Sequence, residues 1–217
     1  MKTDAQLKRD VEAELAWEPA VNAAHVAVAV KDGVVTLAGH LETFAEKDMA
    51  ERAVRRVMGV KAIAQEIDVK LAEHHQRSDT DIAQAIRNVL GWHSLIPAEQ
   101  IQVKVEKGWV TLTGNVTWNY QRRMAEQTVR PITGVVGVTN CISLQVTATS
   151  ANISERIQQA LTRQAEREAR RVEVIAAGST VTLRGQVHSW AERKAAHGAA
   201  WAAPGVTTVV NELRVVD

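Results

Sequence analysis

Seven histidines, His25, His40, His74, His75, His93, His188 and His197, are the residues best suited to metal or acid–base chemistry, and their spacing supports neither. No pair stands in the helix-borne H-E-x-x-H arrangement, which puts two imidazoles on one face of a helix within reach of one zinc ion. His74-His75 reads as a solvated pair between repeated segments. Cys141 is the single cysteine, so neither a thiolate cluster nor an intrachain disulfide can be built. Its place in a predicted strand reads as a small buried hydrophobe. The chain has no G-x-S-x-G elbow, Walker A loop or G-x-G-x-x-G fingerprint. Glu46, Glu51, Glu126 and Glu192 lie on helical patterns that alternate with Lys and Arg, which reads as solvated surface. No catalytic residue, metal ligand or cofactor is expected.

Aromatic residues point instead to contact. The chain holds six Trp against one Phe and one Tyr. Trp and Tyr suit a surface with one wet and one apolar side. Trp118 and Tyr120 cluster with Arg122 and Arg123, where positive charge at a helix start opposes the dipole. An aromatic-basic edge of that kind suits an anionic lipid surface; an RNA phosphate is the other anion it could hold, without a motif to support it. Trp190 occupies the matching loop further on, and Trp109 follows a predicted hairpin glycine. The expected membrane or partner contacts are therefore Trp109, Trp118, Tyr120, Arg122, Arg123 and Trp190. Trp17 and Trp92 read as plugs for the end of a small core. Trp201 reads as a seal between repeats or against a partner.

The elements that must position these residues are encoded three times. Val35-Thr36-Leu37-Ala38-Gly39, Val110-Thr111-Leu112-Thr113-Gly114 and Val181-Thr182-Leu183-Arg184-Gly185 are copies of one phrase, offset by 75 and then 71 residues. A period of this length fixes the organisation of the chain before any other argument. Each copy opens with an apolar stripe at helical spacing: Leu7, Val11 and Leu15; Ile82, Ile86 and Leu90; Ile153, Ile157 and Leu161. Asp4 and Asp79 stand at predicted caps. Strict alternation then predicts a half-buried strand, as in Val26, Val28 and Val30. Asp32-Gly33, Lys107-Gly108 and Gly178-Ser179 supply turns, and the repeated phrase is the returning strand.

A second helix follows, with Thr43 to Glu46 and Ser189 to Glu192 reading as capping boxes. Trp118 takes the cap slot in the middle copy. Its buried face is Met49, Ala50, Ala53, Val54 and Val57 in the first copy and Ala195, Ala196, Ala199, Ala200 and Ala203 in the third. Arg163, Arg167, Arg170 and Arg171 read as a salt-bridged face, offset by Glu155, Glu166 and Glu168. Gly59, Gly134 and Gly205 suit left-handed positions before a last strand. The expected fold class is α+β: three tandem α-β-β-α-β units, each a three-stranded mixed sheet with two helices on one face, over residues 1–71, 79–146 and 152–217. The open sheet face of the first copy, rich in Ala and Thr, is expected to dock on a neighbouring repeat of the same chain, and that of the second to be exposed.

The closing phrase Gly205-Val206-Thr207-Thr208-Val209-Val210-Asn211-Glu212-Leu213-Arg214-Val215 resembles the end of a BON domain, as do the V-x-L-x-G strand and the Ser/Thr-started second helix. The second copy keeps Gly134, Val135, Val138, Asn140 and Ile142, and the first has Gln65 in place of the Asn. This resemblance implies a non-enzymatic protein associated with osmotic or envelope stress, with phospholipid surfaces, and in some members with ligand or ion binding. Net charge is +1, so no global field favours nucleic acid. The N-terminal residues show no secretory pattern, and no run approaches the ~18 apolar residues of a spanning helix. A cytoplasmic location is expected, with peripheral contact at the inner membrane face. The expected partner is an anionic phospholipid surface or a stress-associated protein; the alternative is a small-ligand or ion-sensing module.

Overall fold

The computed structural model describes residues 2–145, 153–164 and 172–216, without the side chains of Gln164 and Trp190. The first helices are α1 (Asp4–Trp17), α3 (Asp79–Trp92) and α5 (Ile153–Gln164). The hairpins are β1 (Val26–Lys31) with β2 (Val34–Leu41), β4 (Ile101–Glu106) with β5 (Trp109–Val116), and β7 (Val172–Ala177) with β8 (Thr180–Val187). The second helices are α2 (Phe44–Arg56), α4 (Asn119–Val129) and α6 (Trp190–Trp201), and the closing strands are β3 (Ala62–Val69), β6 (Gly137–Leu144) and β9 (Thr208–Val215).

Each sheet has the repeated phrase as its central strand. β1 runs antiparallel and β3 parallel to β2, and β7 and β9 bear the same relation to β8, so these sheets are mixed as the sequence predicts. By packing, the chain divides into two compact units. One is Met1–His93 with Val103–Leu112 and Glu126–Asn140; the other is Ser94–Gln102 with Thr113–Ala125 and Cys141–Asp217, so residues of the second copy fall in both.

The helical stripes are buried as expected: Leu7, Val11 and Leu15 pack with Val35, Leu37, Leu41 and Ile67 in the first copy, and Ile153, Ile157 and Leu161 pack with Val181, Leu183 and Leu213 in the third. Truncating one such Leu or Ile to Ala costs about 2–5 kcal/mol. In the third copy Ala195 is exposed, while Ala196, Ala199, Ala200 and Ala203 carry the buried face. The glycine of the repeated phrase is there for a steric reason. Gly39 has φ 129°, and a Cβ on it would stand 2.1 Å from the His25 carbonyl oxygen; Gly114 meets Gln100 in the same way at 2.0 Å. No side chain fits where the turn before the first strand crosses that strand.

Asp4 and Asp79 differ from the expectation that they cap helices. Thr3 and Ser78 are the caps. The two aspartates, one residue further on, reach across to the hairpins. Asp4 accepts from the backbone N–H of Asp32 (2.7 Å) and Gly33 (3.1 Å), and Asp79 from Lys107 and Gly108 (both 2.8 Å). A primed turn with two left-handed residues points both N–H groups outward, and a carboxylate ties them to the helix start. The third hairpin carries positive φ at Gly178 and not at Ser179, one residue earlier than the glycine of the other copies.

Cys141 is exposed, not buried: alternation in β6 turns Ile142 inward and its neighbour outward. Ala27 and Ala29 are exposed too, so the first sheet's open face is not the docking face expected of it. The segment 147–151 and residues Glu166, Arg167, Glu168, Arg170 and Arg171 lie outside the described residues.

Candidate interaction surfaces and a basic cleft

At the start of the second helices, Thr43 and Ser189 each accept a hydrogen bond from the backbone of the glutamate three residues on, at 3.1 Å in both copies. The glutamates return the favour one residue further out than a standard box: Glu46 accepts from Glu42 N and also from Asn22 N, and Glu192 from His188 N. In the middle copy Trp118 has no hydroxyl to offer. Gln121 supplies the surviving half of the arrangement, its Oε1 accepting from Trp118 N at 3.0 Å. The next residue, Asn119, is 5 % exposed and its Oδ1 finds no partner, in a slot filled by Phe44 and Trp190 in the other copies.

The basic residue in the first turn of these helices has a structural use that the sequence does not show. Lys47 donates to the Ile67 carbonyl at 2.5 Å, and Arg193, in the same slot, donates to Leu213 O at 3.1 Å and Asn211 O at 3.3 Å. The cation opposes the helix dipole but ties the helix to the closing strand. Arg122 occupies this slot in the second copy. Its guanidinium also lies 5.6 Å from the centre of the Trp201 ring, at the end of α6. Trp201 is half-buried there, and its indole donates to His197 Nε2 at 3.2 Å. Trp201 therefore seals one repeat against another. The related slot in the second copy, Arg130, bridges in the other direction: it pairs with Asp48, donates to Glu126 at 2.5 Å and stands 5.9 Å from the Phe44 ring. Burial pulls its pKa down, but Glu126 and Asp48 outweigh that and leave it above the ordinary value.

The expected contact residues differ in exposure. Trp118 and Arg122 are half-buried, while Tyr120 and Arg123 are exposed beside them. Trp109 opens β5, where the others follow its end. It is 50 % exposed, with its ring against Gly137 and its indole donating to Thr139 at 2.9 Å. Trp190 opens α6, and its side chain lies outside the description.

Two aromatic residues were missed as surface. Trp17 and Trp92 do not plug the core: they are 83 % and 90 % exposed at the ends of α1 and α3. The helical phase carries the signal, since each stands two residues, about 200°, beyond the last buried residue of its stripe, Leu15 or Leu90.

Arg193, Lys194, His197 and Asn211 line a cleft of about 330 Å³. Burial lowers the pKa of His197, and the charges of Arg123 and Arg193 lower it further. The ring is thus neutral at pH 7. Because Nε2 accepts from Trp201, Nδ1 carries the proton. Among the described residues no group of three His, Cys, Asp or Glu side chains could hold a metal ion, and no helix is long and apolar enough to cross a membrane.

Comparison with known proteins agrees with this triplicate architecture. The chain is 26% identical over 141 residues to "Osmotically-inducible protein Y" of Escherichia coli (strain K12), covering 63% of this chain and 70% of that protein. Among solved structures, CdsD, a structural protein of the type III secretion system of Chlamydia trachomatis, aligns over 96% of this chain and 91% of its own at 14% identity, with a TM-score of 0.25. Its C-terminal domain aligns over the full length of both chains at 14% identity with a TM-score of 0.26. Superposition this poor carries no argument. The BON domain model matches residues 3–70, 78–147 and 149–217, so nearly the whole chain is accounted for, and the protein belongs to the BON domain family.

Proposed function

We propose that this chain is a non-enzymatic binding protein of the osmotic or general stress response that rests on the surface of an anionic phospholipid membrane. Similarity to an osmotically inducible protein supports the stress context. The observation that carries the membrane contact is the pair Trp17 and Trp92. Equivalent slots in two copies hold the largest side chain available, each more than four-fifths exposed. A Trp left in water on the far side of its helix from the core contributes nothing to packing. At a lipid headgroup boundary the same ring buries its apolar body and keeps its N–H wet. Trp109 and Tyr120 are each about half exposed as well.

The test is co-sedimentation with vesicles of phosphatidylglycerol and phosphatidylethanolamine. The wild-type chain binds and its Trp emission shifts to the blue. Trp17→Ala with Trp92→Ala weakens binding at least tenfold while the circular dichroism spectrum stays unchanged, because neither ring packs in the core. A double variant that sediments like wild type would sink the reading, as would a wild-type chain that stays in the supernatant. Arg122 is a poor choice for this purpose, since its removal also strips Trp201 of the cation over its ring.

A further inference from the structure

The geometry points to a phosphate-class anion site in the cleft lined by Arg193, Lys194, His197 and Asn211. This goes beyond the membrane reading and does not depend on it. The cleft is about 330 Å³, in the lower part of the range of about 300–1,000 Å³ for small-molecule sites.

Three of the lining groups bring hydrogen-bond donors and the fourth a fixed charge. Lys194 brings an ammonium with three N–H bonds. His197 presents Nδ1–H, because Trp201 holds its other nitrogen. Asn211 Oδ1 accepts from Leu213 N at 3.1 Å, which orients the amide and leaves Nδ2 as its donor. Arg193 is held in place by its bonds to Leu213 and Asn211 carbonyls, so its charge is fixed before any ligand arrives. Among the described residues, no carboxylate lies within ion-pair distance of Arg123 or Lys194.

A concentration of donors and like charge beside a half-buried ring is unfavourable when empty. Burial is the larger cause of the lowered His197 pKa, and Arg123 and Arg193 add a repulsion towards any further positive charge there. A tetrahedral oxyanion relieves it by accepting from several donors at once and neutralising the local field.

The required chemistry is a phosphoryl oxyanion, whether free phosphate, a soluble phosphate ester or a lipid headgroup. The experiment follows the His197 ring resonances of the full-length protein by NMR at constant ionic strength. Inorganic phosphate, glycerol phosphate and glycerophosphoglycerol are added in turn, with sodium chloride as the control. The expected result is a saturable shift with at least one of the three, together with a rise in the His197 pKa. Lys194→Glu and Arg123→Glu, both at exposed positions, each weaken binding at least fivefold without altering the fold. A response to phosphate and its monoester alone assigns the site to soluble ligands; a response to the diester alone assigns it to headgroups. Vesicle binding that survives in the Trp17→Ala, Trp92→Ala protein but falls with Lys194→Glu also supports the headgroup assignment, and it separates this site from the tryptophan surface. A shift reproduced by chloride, a shift that never saturates, or affinities unchanged in both charge reversals would overturn the assignment.

Discussion

Where α4 meets α2, the cation comes from the later copy and the ring from the earlier: Arg130 reaches Phe44 and Asp48. Where α6 meets α4, the ring comes from the later copy and the cation from the earlier: Trp201 lies under Arg122. Arg130 and Trp201 are the same slot of the repeat, so duplication preserved a place of contact and not a pair of residues. The first junction is ionic at its centre. Asp48, 11% exposed, holds both Arg130 and Arg52, and Glu126 steadies Arg130 from its own helix. The second junction is aromatic, with the indole hydrogen-bonded to a neutral histidine. An ionic junction has defined donors and acceptors and is brittle to loss of one partner. An aromatic one spreads its attraction over ring area and can tolerate a ligand arriving beside it.

Breaking the ionic junction has the largest expected effect. Arg130→Ala leaves Asp48 with Arg52 alone and removes a charge-assisted bond from Glu126. Hydrogen bonds to charged groups contribute about 1.5–3 kcal/mol, and solvent screening of a side chain 30% exposed reduces each of the two, so a loss of about 2–3 kcal/mol is expected. In a repeat protein, stability is the sum of unit and interface terms. Urea unfolding of Arg130→Ala should therefore resolve an early transition where the wild type shows one. A single transition at the wild-type midpoint would mean that the first two copies are coupled by something else.

Trp201→Ala comes next, at about 1–2 kcal/mol. It removes half-buried aromatic area and a cation–π contact of about 0.5–1 kcal/mol. Trp201→Phe keeps a smaller aromatic face and loses the bond to His197, so it should recover part of that loss. If Phe rescues nothing, the junction depends on the indole N–H and the contrast with the ionic junction fails.

The repeat, the stripes and the strands were legible because each rests on local periodicity. Leu7, Val11 and Leu15 recur at helical spacing, and the alternation of Val138, Asn140 and Ile142 marks one face of β6. That same alternation places Cys141 outward, and the helical phase places Trp17 and Trp92 outward; residue type had suggested burial, and position within the period decided otherwise. The clamps at Lys47 and Arg193 were not legible, because their acceptors are carbonyls of a strand about 20 residues away whose distance only the crossover sets. The junctions were hidden for a further reason: Arg130 and Phe44 are not equivalent slots, so aligning the copies separates the partners it would need to pair. For the same reason the basic cleft could not be read, since Arg123 and His197 come together from different copies.

Acid should separate the two junctions by a smaller amount. His197 has a folded pKa below its ordinary value, through burial first and then Arg123 and Arg193. The unfolded chain therefore binds a proton at this site more readily than the folded chain. Its contribution to stability is fully present above the unfolded value of about 6.5 and is lost as pH falls through the lower folded value. The charged groups that act on the ring are Arg123 from α4 and Arg193 from α6, while Lys194 of α6 and the neutral Asn211 of β9 line the same cleft. A doubly protonated ring can no longer accept from Trp201, so acid loosens the aromatic junction in particular, whereas Arg130 keeps its charge throughout this range. The melting temperature of the wild type should fall between pH 7 and pH 5 by more than that of His197→Gln, whose amide oxygen can accept from the indole at any pH. The early urea transition of Arg130→Ala should hold its midpoint more closely over the same interval. Equal acid sensitivity in wild type and His197→Gln would remove the histidine from the junction and leave Arg122 and the ring as its whole content.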